Sequence, residues 1–461
     1  MTALPSLKRM EHSFYLLSLG CPKNEVDSEC MSALLKDAGH PFTPDADKAR
    51  YLIVNTCAFI ESAVEEAIAS ILDLADFKAR REDARLIVTG CLSQRYKDKI
   101  FDEFPEVDAI LGTGEYQAIT EVVSRLARGE DLRGHKPGAA GNIAYLDQPR
   151  TPSSPPGTYA YLKIAEGCSN ACAYCAIPRL RGPLRSREPD AIIREARQLA
   201  GQGFKELILV AQDTTRYGQD LDGQPSLALL LRRLTDEVPG IELFRSLYFY
   251  ADAITDELIG EMAENPKIAR YVDLPIQHAS DRVLARMRRH ETSAVIEERI
   301  EKIREKIPGV IIRTTVMTGF PGESEEDFQE LLAFIKRVRF DRLGCFVFSP
   351  EEGTPAFGMP DRIPEKTASK RRDLIMQAQQ SIARESNRRR IGEVTSVLIE
   401  GTEERGILFQ GRSYGEAPEI DPAIFIAATS PDVRIGDRQQ VRIIDAGPYE
   451  MTGVTVDEHC E

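Results

Sequence analysis

One short loop constrains this chain more than any other part of it. The segment EGCSNACAYCAIP carries Cys168, Cys172 and Cys175 in a Cys-x3-Cys-x2-Cys run. Thiolates are the usual ligands of iron–sulfur clusters. Three close cysteines with no fourth nearby leave one iron of a 4Fe–4S cluster free of protein, and an open metal position is what catalysis needs, whereas structural sites are closed. The other readings are a zinc site that borrows a distant ligand, or three unrelated buried cysteines. The loop follows the apolar run YAYLKIAEG, which reads as a strand, so the thiols stand at a strand's C-terminal end.

The redox compartment decides how to weigh the nine cysteines of the chain. The opening stretch MTALPSLKRMEHSF lacks the apolar core of a signal peptide, and no apolar run is long enough to span a bilayer. The expectation is a cytoplasmic protein with reduced thiols, where clustered cysteines mean metal or catalysis. At 461 residues the chain can bury a large core without disulfides. Its net charge of −14 disfavours a broadly basic surface for nucleic acid.

The pattern along the chain is α/β. Residues 12–130 alternate apolar runs (FYLLSLG, YLIVNT, RLIVTG) with amphipathic stretches, as a parallel sheet covered by helices does. Residues 131–157 are a linker, with DQPRTPSSPPG as its Pro/Ser/Gly-rich end. Residues 158–390 resume the alternation, with six candidate strands: YAYLKIAEG, ELILVAQD, FRSLYFY, YVDLPIQ, IIRTTVMTGF and RLGCFVFSP. Six β/α repeats predict a partial or complete β/α barrel with chemistry at the C-terminal strand ends. A long basic helix, 366–390, closes this part, and its charges read as a solvated face. Residues 391–461 carry four short strand patterns (VTSVLIEG, RGILFQGRS, AIFIAAT, QQVRIIDAG), as in a small OB-like β-barrel.

A second trio emerges from the first domain. Cys21 follows FYLLSLG, Cys57 follows YLIVNT and Cys91 follows RLIVTG, each just beyond a strand. Parallel strands would bring all three to one sheet edge, where open α/β sheets bind ligands. They could share a second cluster that again lacks a fourth ligand. Cys30 on the following helix, Cys345 within an apolar strand and Cys460 in the tail read as non-ligands.

With these residues in hand, the chain resembles the radical S-adenosylmethionine (SAM) enzymes. SLGCPKNEVDSE, NTCAFI and VTGCLSQR resemble the added domain of the methylthiotransferases, and the last domain resembles their TRAM domain. Two branches compete. CPKNEVDS, YLKIAEGC, AIPRLRGPLRSR, LVAQDTTRYG, DLPIQHASDRVLARMRR and GRSYGEAPEID resemble the RimO-type branch, which modifies an aspartate of small-subunit ribosomal protein number twelve. The transfer-RNA branch usually carries Asn-Ser-Met where Pro-Lys-Asn stands here. Charge points the same way. From Gly392 onward fourteen acidic side chains face five arginines. Nine net negative charges suit a basic protein better than RNA.

The resemblance implies two 4Fe–4S clusters, on Cys168, Cys172 and Cys175 and on Cys21, Cys57 and Cys91. It implies SAM bound at the first and cleaved to a radical that takes hydrogen from the aspartate β-carbon. The second cluster would present sulfur and another SAM the methyl group, so the first domain should lie over the barrel mouth. Strand-end residues Gln212, Asp213, Gln277, His278, Thr318 and Gly319 are candidates for SAM or substrate contacts, and GFPGES could aim backbone N–H groups at a carboxylate. The expected partners are the basic ribosomal protein, met through the acidic TRAM domain, and a flavodoxin- or ferredoxin-like reductant, with no membrane and a monomeric enzyme. A transfer-RNA methylthiotransferase and an iron–sulfur electron carrier are the rival readings.

Overall fold

The computed structural model describes residues 12–140, 150–403 and 406–456. Four parallel strands open the chain: β1 (Phe14–Ser18), β2 (Tyr51–Thr56), β3 (Arg85–Gly90) and β4 (Ala109–Leu111), side by side in sequence order. Every residue of β2 is buried, because helices cover both faces of the sheet. Helix α1 (Pro22–Asp37) starts immediately after Cys21, α2 (Glu61–Ala79) follows β2, and α3 (Cys91–Tyr96) leaves β3 without a loop. The strand β4 has only three residues and leaves no alternation in the sequence.

All six strands expected of the second domain are present. β5 (Tyr159–Lys163) pairs in parallel with β8 (Glu206–Val210), and β8 with β9 (Leu243–Ser246). β10 (Tyr271–Asp273), β11 (Ile311–Thr318) and β12 (Arg342–Val347) form a second parallel set. A single bridge, Phe244 to Ile268, joins the sets, and β12 and β5 do not pair among the described residues. The barrel is therefore partial. A short hairpin of β6 (Ala165–Glu166) and β7 (Arg185–Ser186) closes the base of the cysteine loop. Along β8, Leu207 and Leu209 face the outer helices, while Ile208 and Val210 face inward.

The inward residues of β8 are covered from outside the barrel. They pack against the first domain, in one apolar cluster that includes Phe14, Val26, Met31 and Leu35 together with Tyr161, Ile208, Val210, Leu247, Tyr271 and Ala417. All three parts of the chain contribute to it.

The long basic helix spans Glu365–Arg388. Its charges are not all solvated as expected: Arg371 and, just beyond its end, Arg390 are buried against Glu323 and Glu416. The last domain is a closed five-stranded barrel, β13 (Val394–Thr402), β14 (Phe409–Arg412), β15 (Ile424–Ala427), β16 (Arg438–Ala446) and β17 (Met451–Thr455). The sequence reading missed β17, whose central glycine breaks the apolar alternation. No helix among the described residues is long and apolar enough to cross a membrane.

Candidate active site

The first trio of thiols is set by register. Ser18 lies beside Asn55, and Thr56 beside Gly90, so the residues after β1, β2 and β3 leave the sheet at one edge. Two glycines draw the thiols closer than ordinary backbone allows. Gly20 has φ +92, and a Cβ there would lie 2.6 Å from the Cβ of Cys57. Gly90 has φ +94, and its Cβ would lie 2.6 Å from the carbonyl oxygen of Thr56. Asn24 ties the loop after β1 to β2 by donating to the carbonyls of Leu19 and Thr56, both at 2.9 Å.

The charges at this edge favour thiolate at Cys21. Cys21 caps the N-terminus of α1 and Cys91 begins α3, so helix N-termini point at the thiols. Burial opposes ionisation of Cys21. Lys23, Arg181 and the amides of Asn24 and Lys23 outweigh it, and hold that thiol below its usual pKa. Cys57 is raised by burial and by the neighbouring Cys21, and burial pushes Cys91 up to about 12. The three thiols act on one another, and Arg181 acts on all of them.

The second trio lies on the loop between β6 and β7. Asn170, inside this loop, donates to Asp213 Oδ2 at 2.7 Å, and Asp213 also accepts from Thr215 at 2.5 Å. Asp213 thus anchors the loop. Cys172 Sγ is 3.7 Å from the hydroxyl of Tyr250. The Arg289 guanidinium lies 4.5 Å from the centroid of the same ring, against the buried Glu291. Burial lifts Cys168 to about 11 and Cys175 higher still. Among the described residues no group of His, Cys, Asp and Glu is arranged to hold a single metal ion. Cys30 and Cys345 are buried core residues, and Cys460 lies outside the described residues.

Arg181, six positions beyond Cys175, connects the two trios. It donates to both oxygens of Glu166 at 2.9 and 3.0 Å, to Asp27 at 3.3 Å and to Asn24. Lys163 bridges Asp27 and Glu166. Gln212 joins by donating to Glu166 at 2.9 Å. This buried network pins α1 to the C-terminal strand ends, so the first domain does lie over the barrel mouth. Sequence reasoning missed Arg181; the only signal was its place in the basic run RLRGPLRSR directly after the cysteines.

A cavity of about 790 Å³ opens beside the cysteine loop. Phe59 and Ile60 of the first domain, Tyr174 of the loop, and Gln277, Thr315, Met317 and Gly319 of the barrel line it. Gln277 and Gly319 therefore stand where strand-end contacts were expected. Thr318 is buried and donates to the carbonyl of Ala368. His278 is fully buried, accepts from the Ser280 amide at 2.9 Å, and burial lowers its pKa to about 4. The GFPGES amides do meet a carboxylate, but their own: Gly319 and Phe320 donate to Glu323 at 2.6 and 3.2 Å. Ser324 and Asp327 then form a capping box on the next helix.

The last domain docks on the opposite side through GRSYGEAPEID. Arg412 reaches Glu206 of β8 at 3.0 Å, Tyr161 and Tyr271 donate to Glu419 and Asp421, and Arg390 holds Glu416. Three of the fourteen acids, Glu416, Glu419 and Asp421, are thus used at the seams of the molecule and Glu400 pairs with Arg412 inside the domain, so the outward acidic excess is smaller than the count implied.

Comparison with known proteins follows the same three parts. Residues 13–112 match the uncharacterized protein family UPF0004, 162–335 the radical SAM superfamily and 391–456 the TRAM domain. The ribosomal protein uS12 methylthiotransferase RimO of Acetivibrio thermocellus is 44% identical over 97% of this chain and 99% of its own length. That of Pelotomaculum thermopropionicum is 47% identical over 96% and 98%. Among solved structures, the radical SAM methyltransferase TsrM from Kitasatospora setae, with cobalamin and a 4Fe–4S cluster bound, aligns with a TM-score of 0.56. It is 14% identical and covers 75% of this chain and 74% of its own, a likeness of fold alone. The chain belongs to the ribosomal protein uS12 methylthiotransferase (RimO) family and is a radical SAM enzyme.

Proposed function

We propose that this chain inserts a methylthio group at the β-carbon of an aspartate in ribosomal protein uS12, in the cytoplasm, using two 4Fe–4S clusters and SAM. The observation that carries the reading is the pair of thiol trios, each at strand C-termini, joined through Arg181. The donor sets fit. Each offers three thiols near enough to act on one another. Cys168, Cys172 and Cys175 would hold the cluster that activates SAM, and Cys21, Cys57 and Cys91 the other. When bound, the clusters supply the electron that cleaves SAM and the position from which sulfur is delivered.

The chain's own residues do the rest. Asp213 fixes the cysteine loop through Asn170. The cavity at Tyr174, Gln277 and Gly319 offers SAM a largely apolar enclosure beside that loop, while Phe59 and Ile60 cover it from the first domain and keep water out. Arg181 and the helix N-termini balance the charge gathered on Cys21, Cys57 and Cys91. The outward carboxylates of the TRAM domain suit a basic protein partner. A flavodoxin- or ferredoxin-like reductant would supply the electron.

The test is mass spectrometry of purified uS12 and of transfer RNA after incubation with the anaerobically reconstituted enzyme, SAM, sulfide and reductant. A methylthio group on the protein aspartate is the expected result; labelling of RNA alone would overturn it. Iron analysis should give about eight irons per chain, four per cluster, and Cys168→Ala about half of that.

A further inference from the structure

Each thiol of the Cys168 trio has a donor beside it. Cys168 is met by Asn170 and Cys175 by the Ile177 amide, both from within the β6–β7 loop. Cys172 is met from elsewhere: the hydroxyl of Tyr250, just beyond β9, lies 3.7 Å from its sulfur. A phenol carries its proton at neutral pH, and a cluster-bound thiolate has none to give. In the loaded enzyme that hydroxyl can therefore only donate.

Two sets of contacts hold the hydroxyl there. The Tyr250 amide donates to Thr215 Oγ1 at 3.2 Å, Thr215 donates to Asp213, and Asp213 accepts from Asn170 inside the cysteine loop. Tyrosine and loop thus share one anchor. The ring faces the Arg289 guanidinium, 4.5 Å from its centroid. That cation is fixed by bonds to Glu291 at 3.1 and 2.7 Å and to the Pro275 carbonyl at 3.0 Å. The Arg289 and Glu291 side chains are each 1% exposed. A buried cation over an aromatic face draws electron density from the ring and makes its O–H a stronger donor. A hydrogen bond to a cluster sulfur stabilises the reduced, more negative state over the oxidised one, and is one of the levers a protein has on cluster potential.

We propose that Tyr250, backed by Arg289, donates to Cys172 and so raises the reduction potential of the cluster on Cys168, Cys172 and Cys175, easing its reduction by a flavodoxin- or ferredoxin-like protein. The proposal rests on the two-cluster reading above. One electron enters the cluster, the hydroxyl keeps its proton, and no bond is made or broken. Tyr250 acts through Cys172 and is a positioning residue, not a catalytic one.

The experiment uses the full-length, anaerobically reconstituted enzyme. Reductive titration is followed by electron paramagnetic resonance, and the cluster concerned is the one whose signal changes when SAM is added. Tyr250→Phe should shift the one-electron equilibrium of that cluster about tenfold toward the oxidised form, which is about 59 mV lower in potential. Iron content and the potential of the other cluster should match wild type. Tyr250→3-fluorotyrosine keeps nearly the same shape with a stronger donor, and should move the potential upward. A role in packing alone predicts neither shift. An unmoved potential in Tyr250→Phe, or a fluorotyrosine protein at or below the wild-type potential, overturns the proposal and leaves Tyr250 as a platform for Arg289. If Tyr250→Phe does not fold, the fluorotyrosine protein still decides. A wild type with no SAM-responsive signal overturns the cluster reading itself, a distinguishable result.

Discussion

A side chain at position 90 would have nowhere to go. With φ +94 and ψ −150, Gly90 occupies a region essentially reserved for glycine, and the Thr56 backbone crowds the space where a Cβ would sit. Gly90→Ala should cost about 1–3 kcal/mol in strain. It should also push Cys91 away from Cys57 and lower the iron content by about half, which iron analysis and a urea titration check. His278 gives a pH signature. Its ring is neutral in the folded protein, with a pKa of about 4 against 6.5 for the free side chain. Below pH 6.5 the unfolded chain takes up a proton that the folded protein refuses. Stability is thus full above pH 6.5 and falls steadily toward pH 4, by about 3 kcal/mol at the limit. Replacing His278 with Leu should flatten the dependence of the urea midpoint on pH across that window; an unchanged slope would refute it. The cysteines were legible as residues because thiol spacing is a chemical signature. Asp213 and His278 were legible as positions only. Their partners, Asn170 and Ser280, are set by how loops fold back, which no spacing rule reports.

At the scale of elements, the strands read well where they lie in apolar runs, even the three-residue β10 within YVDLPIQ, and the register of β1, β2 and β3 follows from the parallel pairing they imply. Short elements outside such runs did not read. The β6–β7 hairpin and β4 have two or three residues per strand, too few for any period to show. The helix Glu325–Val338 illustrates a cap with a second duty. Asp327 completes the capping box and also accepts from Ser280 at 2.6 Å and from Arg282. Asp327→Ala should therefore cost more than an ordinary cap, about 2–3 kcal/mol rather than about 1. The loss should appear in the urea midpoint and leave iron content intact.

For the whole molecule, the decisive contacts are buried ion pairs between parts distant in sequence, and these were invisible beforehand. Charge counting treated the last domain as an outward acidic face, yet Glu416 and Arg390 are spent internally. The network of Asp27, Lys163, Glu166 and Arg181 fastens the first domain to the barrel. Arg181→Met takes from the buried Asp27 and Glu166 one of the two cations they share and leaves them Lys163. It should destabilise by about 3–5 kcal/mol, as breaking a buried pair does. Limited proteolysis should then cut near residues 112–113, where Thr113 now bonds the Leu180 carbonyl; a proteolysis pattern like wild type would refute the fastening role.

The shared apolar cluster also dictates an order of events during synthesis. Phe14 and Met31 emerge early from the ribosome, but Tyr271 and Ala417, which cover them in the finished protein, are translated hundreds of residues later. Until the TRAM domain has left the exit tunnel the inner face of α1 lacks its final cover, the kind of transient apolar exposure that makes a nascent chain prone to aggregate.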